Sequence, residues 1–204
     1  MSAPGAVSAP GAARAWSGVL PRAEGPAVLV HGGAWDIPDD EADAHREGLL
    51  RALARAECLL GRRAPAVEVA AEAVAVLEAD PAFDAGRGAV LDRDGFVQLD
   101  AGLMDGHTRA WGAVANVRCL PHPVRIARRL LEGDAQARLL VAEGAERYAA
   151  EHGFPHVAPE HLVVPRERAR HARLLREAGF HTSRAFTGPV SGPQGTVGCV
   201  VRDA

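Results

Sequence analysis

The sequence predicts a mixed α+β fold, and three observations carry the prediction. Residues 39–62 and 65–79 place apolar side chains about every 3.6 positions, the period of a helix packed on one face. Residues 90–105 alternate apolar and polar positions, and 111–120 form an apolar run, the pattern of half-buried strands. Short apolar runs at 27–30 and 197–201 read as two further strands, one near each end.

Size and charge limit what such a fold does. A chain of 204 residues suggests one ordinary domain, able to bury roughly 70% of its unfolded surface. The net charge is −3, with no basic stripe, and only five Phe and one Tyr are present for stacking, which argues against nucleic acid. No run of 18 apolar residues argues for a membrane span. Three widely spaced cysteines, Cys58, Cys119 and Cys199, lack metal spacing; an odd, sparse count fits either buried thiols or a reducing compartment, with a cytoplasmic setting expected. All 23 basic residues are Arg, so a P-loop lysine, a lysine Schiff base and a Ser-Lys dyad are excluded. The five serines fall in loops or the leading tail, none in a Gly-x-Ser-x-Gly elbow, which disfavours a Ser-His-Asp hydrolase.

The elements follow in order. Residues 1–25 form a tail in which Ser-Ala-Pro-Gly-Ala occurs twice; so much Ala, Pro and Gly packs little. After the strand at 27–30, Gly32 and Gly33 allow close backbone approach, to a ligand or within a tight turn. His31 beside them reads first as a hydrogen-bonded core histidine. In the first helix Leu49, Leu53, Ala56 and Leu60 share a face, Asp and Glu crowd the first turn, and Gly61 ends it. Cys58 within it reads as core. Pro65 starts the second helix, striped by Val67, Ala70, Val74 and Leu77. Residues 77–89 make a compact loop with exposed carbonyls, either a plain connector or a cradle for a hard cation.

Asp94-Gly95 reads as the turn of a hairpin whose returning strand is 99–104, with Asp105-Gly106 as the next turn. Residues 121–132 and 135–151 read as helices, and Arg125, Arg128 and Arg129 as a solvated or partner-binding face. His152, His156 and His161 fail as a metal set, because Gly153, Pro155 and Pro159 break any helix that would stack them. Residues 165–178 read as a charged helix, and 179–195 as a polar, cleavable linker.

The chemistry concentrates where that linker meets the last strand. Gly195-Thr196 sets a hydroxyl at the head of an apolar strand. A threonine hydroxyl is a poor nucleophile until a base activates it. Breaking the Gly195–Thr196 bond would supply that base on the same residue, since a free α-amine has a pKa of about 8 and so accepts a proton near neutrality. Read alone, Gly-Thr at a loop–strand junction is equally consistent with threonine's preference for strands.

Taken as an ordered set, several motifs resemble the isoaspartyl peptidase / plant-type L-asparaginase family. They are His31-Gly-Gly-Ala34, Leu77-Glu-x-Asp-Pro-x-Phe-Asp-Ala-Gly-x-Gly88, Leu99-Asp-Ala-x-x-Met-Asp-Gly106, Gly112-Ala-Val-Ala115, a looser Pro-x-x-x-Ala-Arg within 122–128, and Gly195-Thr-Val-Gly198. The resemblance runs from about residue 26 to 204. It implies an αββα sandwich of the N-terminal-nucleophile hydrolases, self-cleavage between Gly195 and Thr196, and Thr196 as catalytic nucleophile. Residues 26–178 then form the α-subunit region and 196–204 open the β-subunit. His31, Gly32, Gly33 and Asp84 would lie near the active site. The implied substrates are L-asparagine and β-aspartyl (isoaspartyl) dipeptides. No organic cofactor is implied, but a structural sodium ion is, held mainly by main-chain oxygens of Leu77, Glu78, Asp80, Phe83, Ala85 and Arg87. The implied assembly is a dimer of αβ heterodimers, each α-subunit region pairing with its own β-subunit.

Two departures stand out. Asp84 occupies a position where the family usually has Asn. The family also continues for over a hundred residues past the nucleophile strand, so the sandwich is expected to be incomplete and this chain inactive alone. The alternatives are a non-catalytic remnant that only pairs with partner subunits, and a glycosylasparaginase-like relative. The latter group lacks the 77–88 loop and reads Asp-Thr-Ile-Gly at the nucleophile, where this chain has Gly before Thr196.

Overall fold

The computed structural model describes residues 25–34, 37–133, 137–176 and 195–203. The tail at 1–24 and most of the 179–195 linker lie outside these residues. The architecture is α+β. In chain order the elements are β1 (Ala27–His31), α1 (Asp39–Gly61), α2 (Ala66–Ala79), β2 (Leu99–Met104), β3 (Trp111–Val117), α3 (Pro123–Glu132), β4 (Leu139–Val141), α4 (Ala142–Glu151), a 3-10 turn (Pro159–His161), α5 (Pro165–Arg176) and β5 (Gly198–Arg202).

The outermost described segments pair with each other. β1 and β5 form an antiparallel ribbon with Val28 opposite Val201, Val30 opposite Cys199, and His31 opposite Gly198. Strand alternation sends Val28, Cys199 and Val201 to one face, where they pack on Ala56 and Leu59 of α1 and Val69 and Ala73 of α2. The other face leaves Leu29 and Val200, opposite one another, 65% and 69% exposed. The helix limits follow the sequence: α1 stops at Gly61, and Pro65 stands at the N-cap of α2.

A second core lies under β2 and β3. These strands pair antiparallel across the 105–110 turn, with a bulge in β3, where Ala115 and Asn116 stand opposite Asp100 between the Leu99–Val117 and Ala101–Val114 pairs. α3 packs close on β3 because Gly112 has no side chain: a Cβ there would strike the Ala127 carbonyl. Ala71, Ala75 and Val124, with Ala101 and Leu103, tie α2 to β2 and so join the two cores.

Four expectations are corrected. Residues 135–151 are not one helix; Leu139–Val141 form a short strand parallel to β3 before α4 begins. Leu-Leu-Val serves as a sheet edge, and Ala142, at φ +49, sets the break. The 90–105 hairpin forms only a single bridge, Leu91 to Val97, although its turn is real: Gly95 adopts φ +86 and its N–H donates to Asp92 O at 3.1 Å. The strand 99–104 pairs instead with β3. Of the Arg face of α3, Arg129 is exposed as expected, but Arg125 and Arg128 are held by α2. Arg125 donates two hydrogen bonds to Glu72, both at 3.0 Å, and Arg128 donates one to Glu68 at 3.1 Å. Cys58 is exposed rather than core, because Ala56 and Leu59 on either side take the buried stripe.

Candidate active site

The loop after α2 is built around Phe83. Its ring is fully buried, packed edge-on to His45 with centroids 5.2 Å apart. Gly48 on α1 and Gly32 after β1 make room for it, since a Cβ at either would collide with the ring. Around this anchor the backbone coils tightly. Asp80 Oδ1 accepts the Ala82 N–H at 3.0 Å, Arg51 holds Asp80 Oδ2 at 2.5 Å, and the Arg87 N–H donates to Glu78 O at 2.7 Å. Gly86 and Gly88 lie at φ +53 and +114, where a side chain is strained, and a Cβ at either would also meet loop carbonyls.

This coil presents Asp84. One carboxylate oxygen accepts the Val90 N–H at 2.7 Å. The other lies against Gly195, so closely that a Cβ on residue 195 would overlap it. Burial pushes the Asp84 carboxyl above the usual carboxylate range; the Val90 N–H and the charges of Arg170 and Arg166 oppose this, while Glu167 adds to it. The sequence names Asp84 and Gly195 separately, and the fold brings them into contact.

Beside them lies a cleft of about 590 Å³ that reaches Asp84, Gly195 and Thr196. Three more carboxyl groups line it: Glu78, Asp92 and Asp100. No Arg or His lines it among the described residues. Thr196 is exposed, and its Oγ1 is 3.5 Å from the Val197 carbonyl, a long contact that leaves the hydroxyl available. Asp100 stands opposite the β3 bulge, and its Oδ1 accepts the Asn116 N–H at 2.7 Å.

His31, Gly32 and Gly33 are not part of the cleft lining. His31 is exposed and accepts the Gly33 N–H on Nδ1 at 3.3 Å, so it is not a core histidine: it caps a strand end whose inward positions belong to Val28 and Val30. Gly32 serves the Phe83 ring.

Of the residues assigned to a cation, Leu77 and Glu78 belong to the end of α2 and the rest to the coil. The Leu77, Glu78 and Asp80 carbonyls each accept one N–H within the loop, which leaves each a second lone pair. The donor set is main-chain oxygen, and no group of three or more His, Cys, Asp or Glu among the described residues competes as a metal centre. The chemistry of this set fits a hard cation.

Sequence reasoning missed Glu78, Asp92 and Asp100 as cleft residues. It also missed a charged cluster behind the loop, Arg166, Glu167 and Arg170 of α5. Glu167, 1% exposed, accepts from Arg166 Nε at 2.9 Å and Arg170 Nη1 at 2.6 Å. The available signal was an acid flanked by arginines at i−1 and i+3 of a helix, which is common on exposed faces.

A family model described as Asparaginase matches residues 24–204. The chain is 38% identical over 178 residues to an isoaspartyl peptidase/L-asparaginase of Danio rerio, covering 87% of this chain and 56% of the relative. It is 40% identical over 146 residues to the Bos taurus protein of the same name, covering 71% and 47%. A Salmonella typhimurium isoaspartyl peptidase is 38% identical over 185 residues, covering 86% and 58%. The chain thus spans about half the length of the curated relatives it matches. The chain belongs to the isoaspartyl peptidase/L-asparaginase family.

Proposed function

We propose that Thr196 is the nucleophile of an amidohydrolase that acts on L-asparagine and β-aspartyl dipeptides, and that cleavage between Gly195 and Thr196 creates it. The observation that carries this reading is the junction itself: an exposed threonine hydroxyl at the head of β5, on a cleft, with a carboxyl group packed on the residue before it. No imidazole lines that cleft among the described residues. The threonine's own amine is therefore the natural proton acceptor.

The chemistry runs in two balanced halves. In maturation, Oγ1 bonds to the Gly195 carbonyl carbon, the C–N bond to Thr196 breaks, and the hydroxyl proton ends on the Thr196 nitrogen. Water then hydrolyses the ester, which releases the Gly195 carboxylate and restores the Thr196 hydroxyl beside its free amine. In turnover, Oγ1 attacks the substrate's side-chain amide carbonyl while the amine takes its proton. The amine passes that proton to the leaving nitrogen. Water attacks the resulting aspartyl ester, releases aspartate and restores Thr196.

In this reading the two sheets belong to an αββα sandwich completed by a β-subunit that opens at Thr196, in a dimer of αβ heterodimers in a cytoplasmic setting. The exposed Leu29–Val200 pair supports a further layer against the β1–β5 ribbon. The chain alone is expected to be inactive. Among the described residues no cationic side chain lines the cleft to hold a substrate α-carboxylate. A sodium ion on the main-chain oxygens of Leu77, Glu78, Asp80, Phe83, Ala85 and Arg87 would fix the coil that carries Asp84. The test is hydrolysis by the full-length gene product: Thr196→Ala should lose at least about a thousandfold of activity on both substrates, on the scale of losing a nucleophile. A variant that retains a tenth of wild-type activity would sink the assignment.

A further inference from the structure

We propose that Arg166, in the first turn of α5, is a positioning residue for the cleavage junction: it grips two carbonyls of the 80–88 loop and so holds Asp84 against Gly195. The guanidinium is engaged in three directions. Nη2 donates to Pro81 O at 2.9 Å and lies 3.5 Å from Ala82 O. Nη1 donates to Glu41 Oε2 on α1 at 3.1 Å, and Nε to Glu167 Oε1 at 2.9 Å. A planar fork of five donors suits such a multi-way brace, where a lysine ammonium does not.

The brace is well anchored. Glu167 is buried, and Arg170 on the next turn of α5 supplies its second cation. A buried acid that has lost one of two partners is costly, so α5, α1 and the loop are held as a unit. From Ala82 the chain passes through the buried Phe83 ring to Asp84, whose two oxygens meet Val90 N–H and Gly195. A shift of the loop at Pro81–Ala82 is therefore carried to the junction through one rigid residue. Neither Pro81 nor Ala82 belongs to the proposed cation set, so the guanidinium and a bound cation would hold different carbonyls of the coil.

The catalytic consequence rests on the Thr196 reading; the positional coupling is measured without it. We would record backbone amide spectra of this chain for Arg166→Ala and for Arg125→Ala, a control that also loses a two-bond ion pair but whose hydrogen bonds go to Glu72 on α2 and not to the 80–88 loop. The Gly195, Thr196 and Val90 signals should move in Arg166→Ala and stay in place in Arg125→Ala. If Arg166→Ala does not fold, Arg166→Lys is judged by the same signals, with smaller shifts in the same direction expected. In the full-length product, Arg166→Ala should slow cleavage before Thr196 about tenfold and Arg125→Ala less than twofold. Unmoved Gly195 and Thr196 signals, or equal movement in the control, would overturn the proposal. Processing that persists in Thr196→Ala would instead sink the nucleophile reading, and it shows in intact mass, not in these shifts.

Discussion

Phe83→Ala tests whether one side chain sets the loop beneath the junction. The ring is fully buried against Ala52, Leu77 and Ala82, with Val30, Leu49, Val76 and Val197 around them. Returning a phenylalanine to water costs about 1.5–3 kcal/mol before any cavity is counted. The cavity here would collapse poorly, because two of its walls are Gly32 and Gly48, backbone at a strand end and within a helix. The total should therefore fall in the range of about 3–5 kcal/mol typical of Phe→Ala in cores. For a chain of this size each kcal/mol lowers the melting temperature by about 2–4 °C, so the expected fall is about 6–20 °C. Thermal and urea denaturation measure it, with Phe83→Leu expected to retain most of the stability. A loss below about 1 kcal/mol would refute the claim that Phe83 anchors the coil.

Three further predictions follow from charge and burial. Burial pushes the Glu72 carboxyl up, but hydrogen bonds from Arg125 and Arg55 outweigh it and hold it below the usual range. Its folded value is depressed, so its contribution is complete above the unfolded value of about 4.3 and fades as pH falls through the folded one. Glu72→Gln should flatten the acid limb of a stability–pH curve below about pH 4.5, and an unchanged acid limb would contradict the assignment. Burial pushes the Cys199 thiol up to about 11, so at pH 8 Cys199 should resist a thiol reagent that labels the exposed Cys58; equal labelling rates in the folded chain would count against β5 as placed. Exchanging sodium for choline at constant ionic strength should lower the melting temperature by a few degrees if the loop carbonyls hold a cation, and an identical curve would remove the ion from the account.

Local chemistry made much of this fold legible, and contacts distant in sequence hid the rest. Gly61 and Pro65 bracket a helix break because one lacks a side chain and the other an N–H, and the structure breaks there. Leu139–Val141 gave no such signal: three apolar residues show neither period, and only pairing with β3 makes them a strand. Arg125 and Arg128 looked like a solvated face because their partners, Glu72 and Glu68, stand on another helix more than fifty residues earlier. The candidate site divides in the same way. The Gly195-Thr196 junction and the Gly-rich loop were readable as motifs. That Asp84 packs on Gly195, and that Arg166 holds the coil from behind, depended on tertiary placement alone.

The most direct measurement is the amino-terminal mass of the matured full-length product. The account predicts a fragment beginning at Thr196 with an unmodified amine in the active wild-type protein, and one uncut chain in Thr196→Ala. An active enzyme whose Gly195–Thr196 bond is intact would contradict it.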